Sequence, residues 1–381
     1  MDRVFEAFDW LRDFGAGGKV TRPLDGVFVL DFSRAVAGPL CTMLLGDLGA
    51  RVVKIEEEDG DEARHWGPPF VGEDSTYFLG LNRNKESVVL NLKDAGDLAL
   101  ARRMAALADI VVENFRPGVA ARLGVGYEEL RKLRPGLVYG SVSGFGPEGA
   151  ARDRPGYDLI VQAASGLMYT TGGKVSFPVA DVLAALFLQQ GILAALLRKE
   201  GAFVDVSLLD SLLAAMSPLT AAALMTGIDP KPAGAAHANI VPYQVFDCAN
   251  GSVGVGVTNE RIWARFCGAM GRADWLGDAR YATNVLRNAN RGALLAELEA
   301  LFLTNTAEAW ELILRAAEVP CAAMLTVGEA LRQPGVRSVW TLEDGLPVFG
   351  NPVRISGWEA PRAPVPRRGE HTDRVRAEFA G

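Results

Sequence analysis

The chain is poor in the side chains on which most covalent and metal chemistry rests, with three histidines and four cysteines in 381 residues. Cys41, Cys248, Cys267 and Cys321 form no CxxC pair and no Cys/His cluster at metal-ligand spacing. They read as separate reduced thiols, with neither a disulfide nor a metal site. Cys41 and Cys267 fall in apolar stretches of helical spacing, where a thiolate is poorly stabilised, so a cysteine nucleophile is disfavoured. His65, His237 and His371 belong to no HExxH or Ser-His-Asp pattern and read as structural hydrogen-bonding residues. There is no polybasic run and the net charge is −7, which argues against nucleic acid as a partner. Neither GxGxxG nor GxxxxGK[ST] occurs, so the nicotinamide and nucleotide-triphosphate fingerprints are missing. The most apolar stretch, Val179 to Leu197, carries Asp181, Gln189 and Gln190, which points to a core helix rather than a membrane span. The first eighteen residues mix acids with Phe and Trp and match neither a signal peptide nor an Arg-rich transit peptide. A cytoplasmic protein without a membrane partner is expected.

What is present is a packed α/β pattern. Hydrophobic residues make up 49% and charged residues 22%, ordinary values for a globular chain. Val27–Phe32 reads as a buried strand, Pro39–Leu48 as a helix closed by Gly49, and Arg51–Ile55 as the next strand. The alternation continues with a strand at Val88–Leu92, a helix at Ala95–Ala108 and a strand at Ile110–Phe115. A short helix at Tyr127–Arg134 and a strand at Leu137–Val142 follow. Such alternation predicts a parallel sheet covered on both faces, Rossmann-like without the dinucleotide-binding turn. Ligands of these sheets bind beyond the carboxyl ends of the strands, which singles out Ser33–Pro39, Glu56–Asp61, Asn114–Gly118 and Ser143–Gly149. From about Ser211 the character changes. Leu212–Met225 reads as a helix broken by Pro218. Gly227, Pro230, Pro232 and Gly234 form a linker-like stretch, and Tyr243–Phe246 and Ser252–Val257 form a hairpin about Asn250-Gly251. Helices are expected at Arg261–Met270, Arg291–Leu303 and Ala307–Ala317. The predicted organisation is a large domain, 1–227 with 326–381, and a small α+β domain, 228–325.

Asp181 stands at the start of an apolar helix, Val182–Leu197. The ordinary role of an acid there is to cap the helix. A carboxylate held by backbone N–H groups and the helix dipole beside an apolar cavity can also serve as a nucleophile. Spacing alone leaves both readings open.

Seven separated motifs then become informative, in order: LDGVFVLDFSRAVAGPLCTMLLGDLGARVVKIE (24–56), WGPPFVGEDSTYFLGLNRNKESVVLNLK (66–93), ENFRPGVAARLGVGYEEL (113–130), SVSGFGPEGAARDRPGYDLIVQAASGLMYTTG (141–172), VDVSLLD (204–210), NIVPYQVF (239–246) and GEHTD (369–373). Together they resemble the family III CoA-transferases, whose superfamily also holds α-methylacyl-CoA racemases. The resemblance implies an interlocked homodimer of ring-like chains, each returning its C-terminal segment to the large domain. It implies that Asp181 attacks an acyl-CoA to form an aspartyl anhydride and then an aspartyl–CoA thioester. Coenzyme A is then substrate and product, with no cofactor bound permanently and no metal. The family's CoA-contacting positions fall on Val36, Ala37, Leu90, Asn91, Lys93, Asn114, Phe115, Arg116, Arg122, Ser143, Gly144, Phe145 and Gly146. The closest likeness is to transferases of dicarboxylates such as succinate, with Arg34 and Arg64 expected to grip a distal carboxylate and Tyr157 to bond the substrate.

Some features depart from the family. Where some relatives place an arginine after KIE, this chain has Glu57, Glu58 and Asp59, so either a phosphate contact is absent or the loop points away. The glycine-rich substrate loop of some relatives is not evident, and the loop before Val204 is short. Racemase relatives place a histidine at Tyr157; a phenol of pKa about 10 is a poor base at neutral pH, so racemisation is the alternative rather than the main reading. A catalytically silent acyl-CoA-binding protein is the non-enzymatic alternative.

Overall fold

The structure, a computed structural model, describes residues 22–380. The N-terminal segment on which part of the location reading rests lies outside the described residues. The chain forms two compact units. One holds the described chain up to Val161, then Phe177–Ala215 and Arg337 onward; the other holds Gln162–Ser176 and Met216–Val336. The second unit is therefore larger than the 228–325 lobe predicted, taking in residues 162–176, 216–227 and 326–336 as well.

The first unit is built on short strands: β1 (Phe28–Asp31), β2 (Arg51–Glu56), a small hairpin of β3 (Phe70–Val71) and β4 (Asp74–Ser75), β5 (Lys85–Val89), β6 (Ile110–Glu113), β7 (Val138–Ser143) and β8 (Ala202–Ser207). Six of them make one all-parallel sheet in the order β5-β2-β1-β6-β7-β8. This is the doubly wound order, and it reverses between β1 and β6, where a crevice must open at the carboxyl ends. All four segments singled out from the sequence begin at such ends.

Period-two alternation divides the strands between two faces. Leu30, Val53, Ile55, Val88 and Val111 point into a core closed by the helix Ala95–Leu107 and by Val375 and Phe379 near the C-terminus. On the other face lie the helices Ala37–Asp47 and Val179–Arg198. Val179–Arg198 has the length and composition of a membrane span. One side of it packs into the fold, burying Ala180, Ala184, Ala185, Leu188, Ile192 and Ala195. Glycine lets it lie close: a Cβ on Gly191 would stand 2.6 Å from Val204.

The second face also buries charge. The side chains of Asp31, Lys54 and Lys85 are fully buried and paired: Lys85 reaches Asp31 at 3.1 Å and Lys54 reaches Asp61 at 2.9 Å. Lys85 and Ser87 explain why the strand expected at Val88–Leu92 begins three residues earlier. Both are polar and read as loop, yet their polar groups meet Asp31 and Glu56 inside the fold. β8 has no counterpart in the sequence reading.

At the open edge, β5 is covered by the chain's end. Ser87 donates its N–H to His371 Nδ1 at 3.2 Å and accepts from the His371 N–H at 2.9 Å, and the Val89 N–H donates to Thr372 Oγ1 at 3.0 Å. Among the described residues this fixes His371 as structural, in line with the sequence reading. β12 (Val339–Thr341) and β13 (Pro347–Phe349), reached after the second unit, form a further hairpin in the first unit.

The second unit carries β9 (Tyr243–Cys248), β10 (Gly251–Gly256) and β11 (Cys321–Ala323), an antiparallel sheet whose β9–β10 hairpin was expected. Its core is aromatic, with Trp263, Phe266, Trp275, Tyr281 and Phe302 all buried. All four cysteines are free.

Two glycines of the first unit leave no room for a side chain. A Cβ on Gly144, just past β7, would lie 2.3 Å from the Gly156 Cα, and one on Gly156 2.1 Å from the Gly144 Cα. Gly144→Ala must push two backbones apart and is expected to cost about 1–3 kcal/mol. Gly136→Ala, whose Cβ would meet nothing within 4 Å, should be neutral. Urea melts of the two variants check the contrast.

Candidate active site

The crevice between β1 and β6 is shaped by one sharp turn. Beyond β1 the chain passes through Ser33, Arg34 and Ala35, and the helix Ala37–Asp47 starts two residues later. Ala35 is left-handed, with φ 65°, an uncommon state for a residue bearing a Cβ. Gly38 is obligatory, since a Cβ there would overlap the Ser33 side chain at 2.1 Å. The Asn114 side chain, from just past the end of β6, holds the turn by both backbone groups of one residue. It accepts from the Arg34 N–H at 2.9 Å and donates to the Arg34 carbonyl at 2.6 Å. Asn114 thus clamps backbone with the groups expected to touch CoA.

Asp181 meets this turn. It lies in the first turn of Val179–Arg198, the helix packed beside Ala37–Asp47, and the backbone N–H of Ala37 favours its ionised form. Asp158 caps the Asp181 helix, accepting from the Ala180 N–H at 2.9 Å. The simple cap role is therefore taken by a different residue. Burial pushes the Asp181 carboxyl up, the Asp158 charge pushes it further, and the Ala37 N–H pulls it back, leaving it at about 7. Tyr77 belongs to the same group. Burial raises its phenol, with Asp181 and then Asp158 adding to the rise, and its ring meets Trp66 edge-on at 5.4 Å. Neither Tyr77 nor Asp158 stood out in the sequence, although both lie in quoted motifs; a lone Tyr or Asp carries no spacing signal.

Two clefts flank Phe115, which lines both. The first, about 500 Å³, is lined by Arg34, Leu90, Asn91, Lys93 and Phe115, and also by Glu57, Glu58 and Asp59. The acidic loop does not point away; it forms one wall, and Arg34 offsets part of it with Glu57 at 3.9 Å. The second, about 400 Å³, is lined by Phe115, Arg116, Ser143 and Arg152 among others. Ser143 steadies the following turn by accepting from the Gly146 N–H at 3.1 Å, and Gly146 has φ 89°. The Phe145 ring carries Arg154 at 4.4 Å. Val36 is buried before the helix, while Arg122 is exposed and lines neither cleft.

Glu113, a residue the sequence reading passed over, ends β6 under the second cleft. It accepts from the Ser141 hydroxyl at 2.5 Å and from the Phe115 N–H at 2.7 Å. Burial raises it to about 7 against the pull of those two bonds.

The two expected arginines part company. Arg34 is half exposed, with its guanidinium 5.6 Å from the Phe115 ring. Arg64 is buried: it binds Glu56 through Nε and Nη2, both at 2.8 Å, Asp74 at 2.9 Å and the Pro366 carbonyl, and it stacks on Phe78 at 3.7 Å. Burial alone would push Glu56 up; Arg64 and Lys54 hold it at about 2. The expectation that Arg64 grips substrate is corrected by this placement, since its donors are spent inside the fold. Tyr157 is 60% exposed beside the Gly144–Gly156 contact. Among the described residues no cluster of His, Cys, Asp and Glu could hold a metal ion.

Known proteins share this architecture and sequence. The family model described as CoA-transferase family III matches residues 24–372. An acetyl-CoA:oxalate CoA-transferase of Acetobacter aceti is 39% identical, the match covering 94% of this chain and 96% of that protein. A succinyl-CoA:glutarate CoA-transferase of Mus musculus is 36% identical over 94% of this chain and 86% of its own length. The crystal structure of a CAIB/BAIF family protein from Brucella suis superposes with a TM-score of 0.86 at 32% identity, covering 94% of this chain and all of that one. A Rossmann-like sheet without a dinucleotide turn, an acid poised between two helix heads and a match along nearly the whole length lead to one conclusion: the chain belongs to CoA-transferase family III and is a CoA-transferase.

Proposed function

We propose that the enzyme moves CoA from succinyl-CoA to a dicarboxylate through covalent intermediates on Asp181. The observation that carries this is the placement of Asp181, partly desolvated in the first turn of its helix and not needed as that helix's cap. An ionised carboxylate so placed is stripped of water, which raises its reactivity and protects an anhydride from hydrolysis. Relatives named for succinyl-CoA, glutarate and oxalate support the choice of acids.

The electrons balance at each step. An Asp181 oxygen adds to the thioester carbonyl, the C–S bond breaks, and CoA thiolate leaves a mixed anhydride. The thiolate adds to the Asp181 carbonyl carbon, the anhydride C–O bond breaks, and the donor leaves as its carboxylate. The acceptor carboxylate adds to the Asp181 thioester and expels thiolate. The thiolate then takes the acceptor's acyl carbon, releasing acyl-CoA and free Asp181. No net proton, metal or nucleotide hydrolysis is needed. Backbone N–H groups around Ala37 and the Ser143–Gly146 turn are suited to hold the oxyanions.

In this reading CoA occupies the clefts on either side of Phe115, with Lys93 and Arg116 on their walls drawing its phosphates, Leu90 and Asn91 along its length, and Arg122 and the Gly144–Gly146 turn outside the cleft walls. The acidic wall of Glu57–Asp59 contributes no phosphate contact. Arg34 is the cation suited to a distal carboxylate, with Tyr157 as a further donor. We assign the working form as an interlocked homodimer and the location as the cytoplasm, where four free thiols stay reduced.

Three experiments test the assignment. Asp181→Asn should lower succinyl-CoA-dependent transfer by at least about 10³-fold, as loss of a nucleophile does; mass spectrometry of the thioester products measures it, and equal rates would sink the mechanism. Because only the ionised Asp181 attacks, kcat/KM should rise with pH on the acid side through about 7. Asp158→Asn keeps an acceptor for Ala180 but removes the neighbouring charge, so this limb should move to lower pH. Arg34→Ala should slow dicarboxylate acceptors more than monocarboxylates, and equal slowing would remove Arg34 from the acceptor site.

A further inference from the structure

We infer that Arg152 is a phosphate-binding residue of the coenzyme site, closing with Arg122 on one phosphate of CoA above Gly118; the inference rests on the reading of the second cleft as part of that site. The geometry is local. Gly118 follows β6 with φ 82° and is exposed. The position that a Cβ would take on it lies 3.5 Å from Arg122 Nη1 and 3.8 Å from Arg152 Nη2. Guanidinium groups from two separate stretches of chain therefore converge on one point, near enough for a single phosphate to span both. Arg116 lines the same cleft as Arg152.

Like charges brought together repel unless an anion lies between them. The protein supplies none. Among the described residues Arg116 and Arg122 have no ion pair, and Arg152 meets only Asp153, at 3.9 Å with both side chains open to solvent. The carboxylates that line the cleft are turned elsewhere. Glu128 pairs with Arg131 at 2.8 Å, Glu113 is held by the Ser141 hydroxyl and the Phe115 N–H, and Glu129 tucks one oxygen inward against Gly126. What remains is a set of free forked donors, and phosphate oxygens match that fork in shape and charge.

The backbone holds Arg152 in this place. Its loop leaves β7 at Gly144 and returns at Gly156, where the two glycines touch and close the neck. Within the loop the Arg152 N–H donates to the carbonyl of Gly149, itself left-handed at φ 81°. The side chain is left to reach over Gly118, so its removal costs the fold little.

Titration calorimetry with CoA tests the assignment. Arg152→Ala should weaken CoA binding about 10-fold, the scale of one hydrogen bond to a charged group. KM for succinyl-CoA should rise in step while kcat stays within about twofold, since the phosphates lie away from the reacting thioester. Arg198→Ala removes an equal charge at the far end of the Asp181 helix and should bind CoA as the parent does. Dephospho-CoA identifies the phosphate. If the ribose 3′-phosphate is held, parent and Arg152→Ala bind dephospho-CoA equally; if the diphosphate is held, the loss persists. The double variant with Arg122→Ala should lose less than the two single losses combined, because both arginines share one group. Strictly additive losses would overturn the shared contact. A CoA affinity of Arg152→Ala within about twofold of the parent's, the scale of a screened surface charge, would overturn the inference. A parent that binds CoA but transfers none would overturn the proposed function alone.

Discussion

The half-buried carboxylate of Asp181 sets the terms for everything around it. A charge taken partly out of water must be held by something, and two helices present their amino ends to it: its own, and the one beginning at Ala37. Packing those helices side by side against the sheet requires glycine at points of near contact, a tight turn after β1 and a rigid support under that turn. The buried set of Asp31, Lys54, Asp61, Lys85, Glu56 and Arg64 supplies the support. Buried ion pairs often add little net stability, but they fix geometry through several partners at once.

The same balance explains why Asp158 and Tyr77 matter. Asp158 raises the energy of an ionised Asp181 while capping its helix. A fully relaxed carboxylate would be a poor nucleophile, whereas one left unsupported would stay protonated at neutral pH. Burial, one neighbouring anion and one N–H together poise the group between those limits.

Much of this was legible in the sequence. The β–α alternation, the strand ends that carry the crevice and the position of Asp181 all follow from periodicity, turn residues and quoted motifs. What stayed hidden was polar. Lys85 and Ser87 look like loop residues, and only the buried partners Asp31 and Glu56 make them strand. Arg64 looked like a substrate grip because an arginine's surroundings are invisible in one dimension; its carboxylate partners sit eight and ten residues away along the chain. Asn114 was expected only to touch the ligand, and its clamp on the Arg34 backbone carries no signal in one dimension. β8 was missed because the strand AFVDVS sits at the sheet's far edge and has no uniform apolar run. The division into units was misread near Pro218 because proline breaks the helix there without saying which side each half joins.

The cover over β5 has a consequence for how the chain is made. The sheet's open margin is sealed by residues 369–372, which lie 282 to 284 positions beyond their partners in β5, so the seal does not exist until long after β5 itself has been made. Until then a row of unsatisfied backbone donors and acceptors faces outward, a template for stray strands. A polypeptide cut short by a dozen residues would keep every group of the reaction centre and lose its protection against sticking to its neighbours.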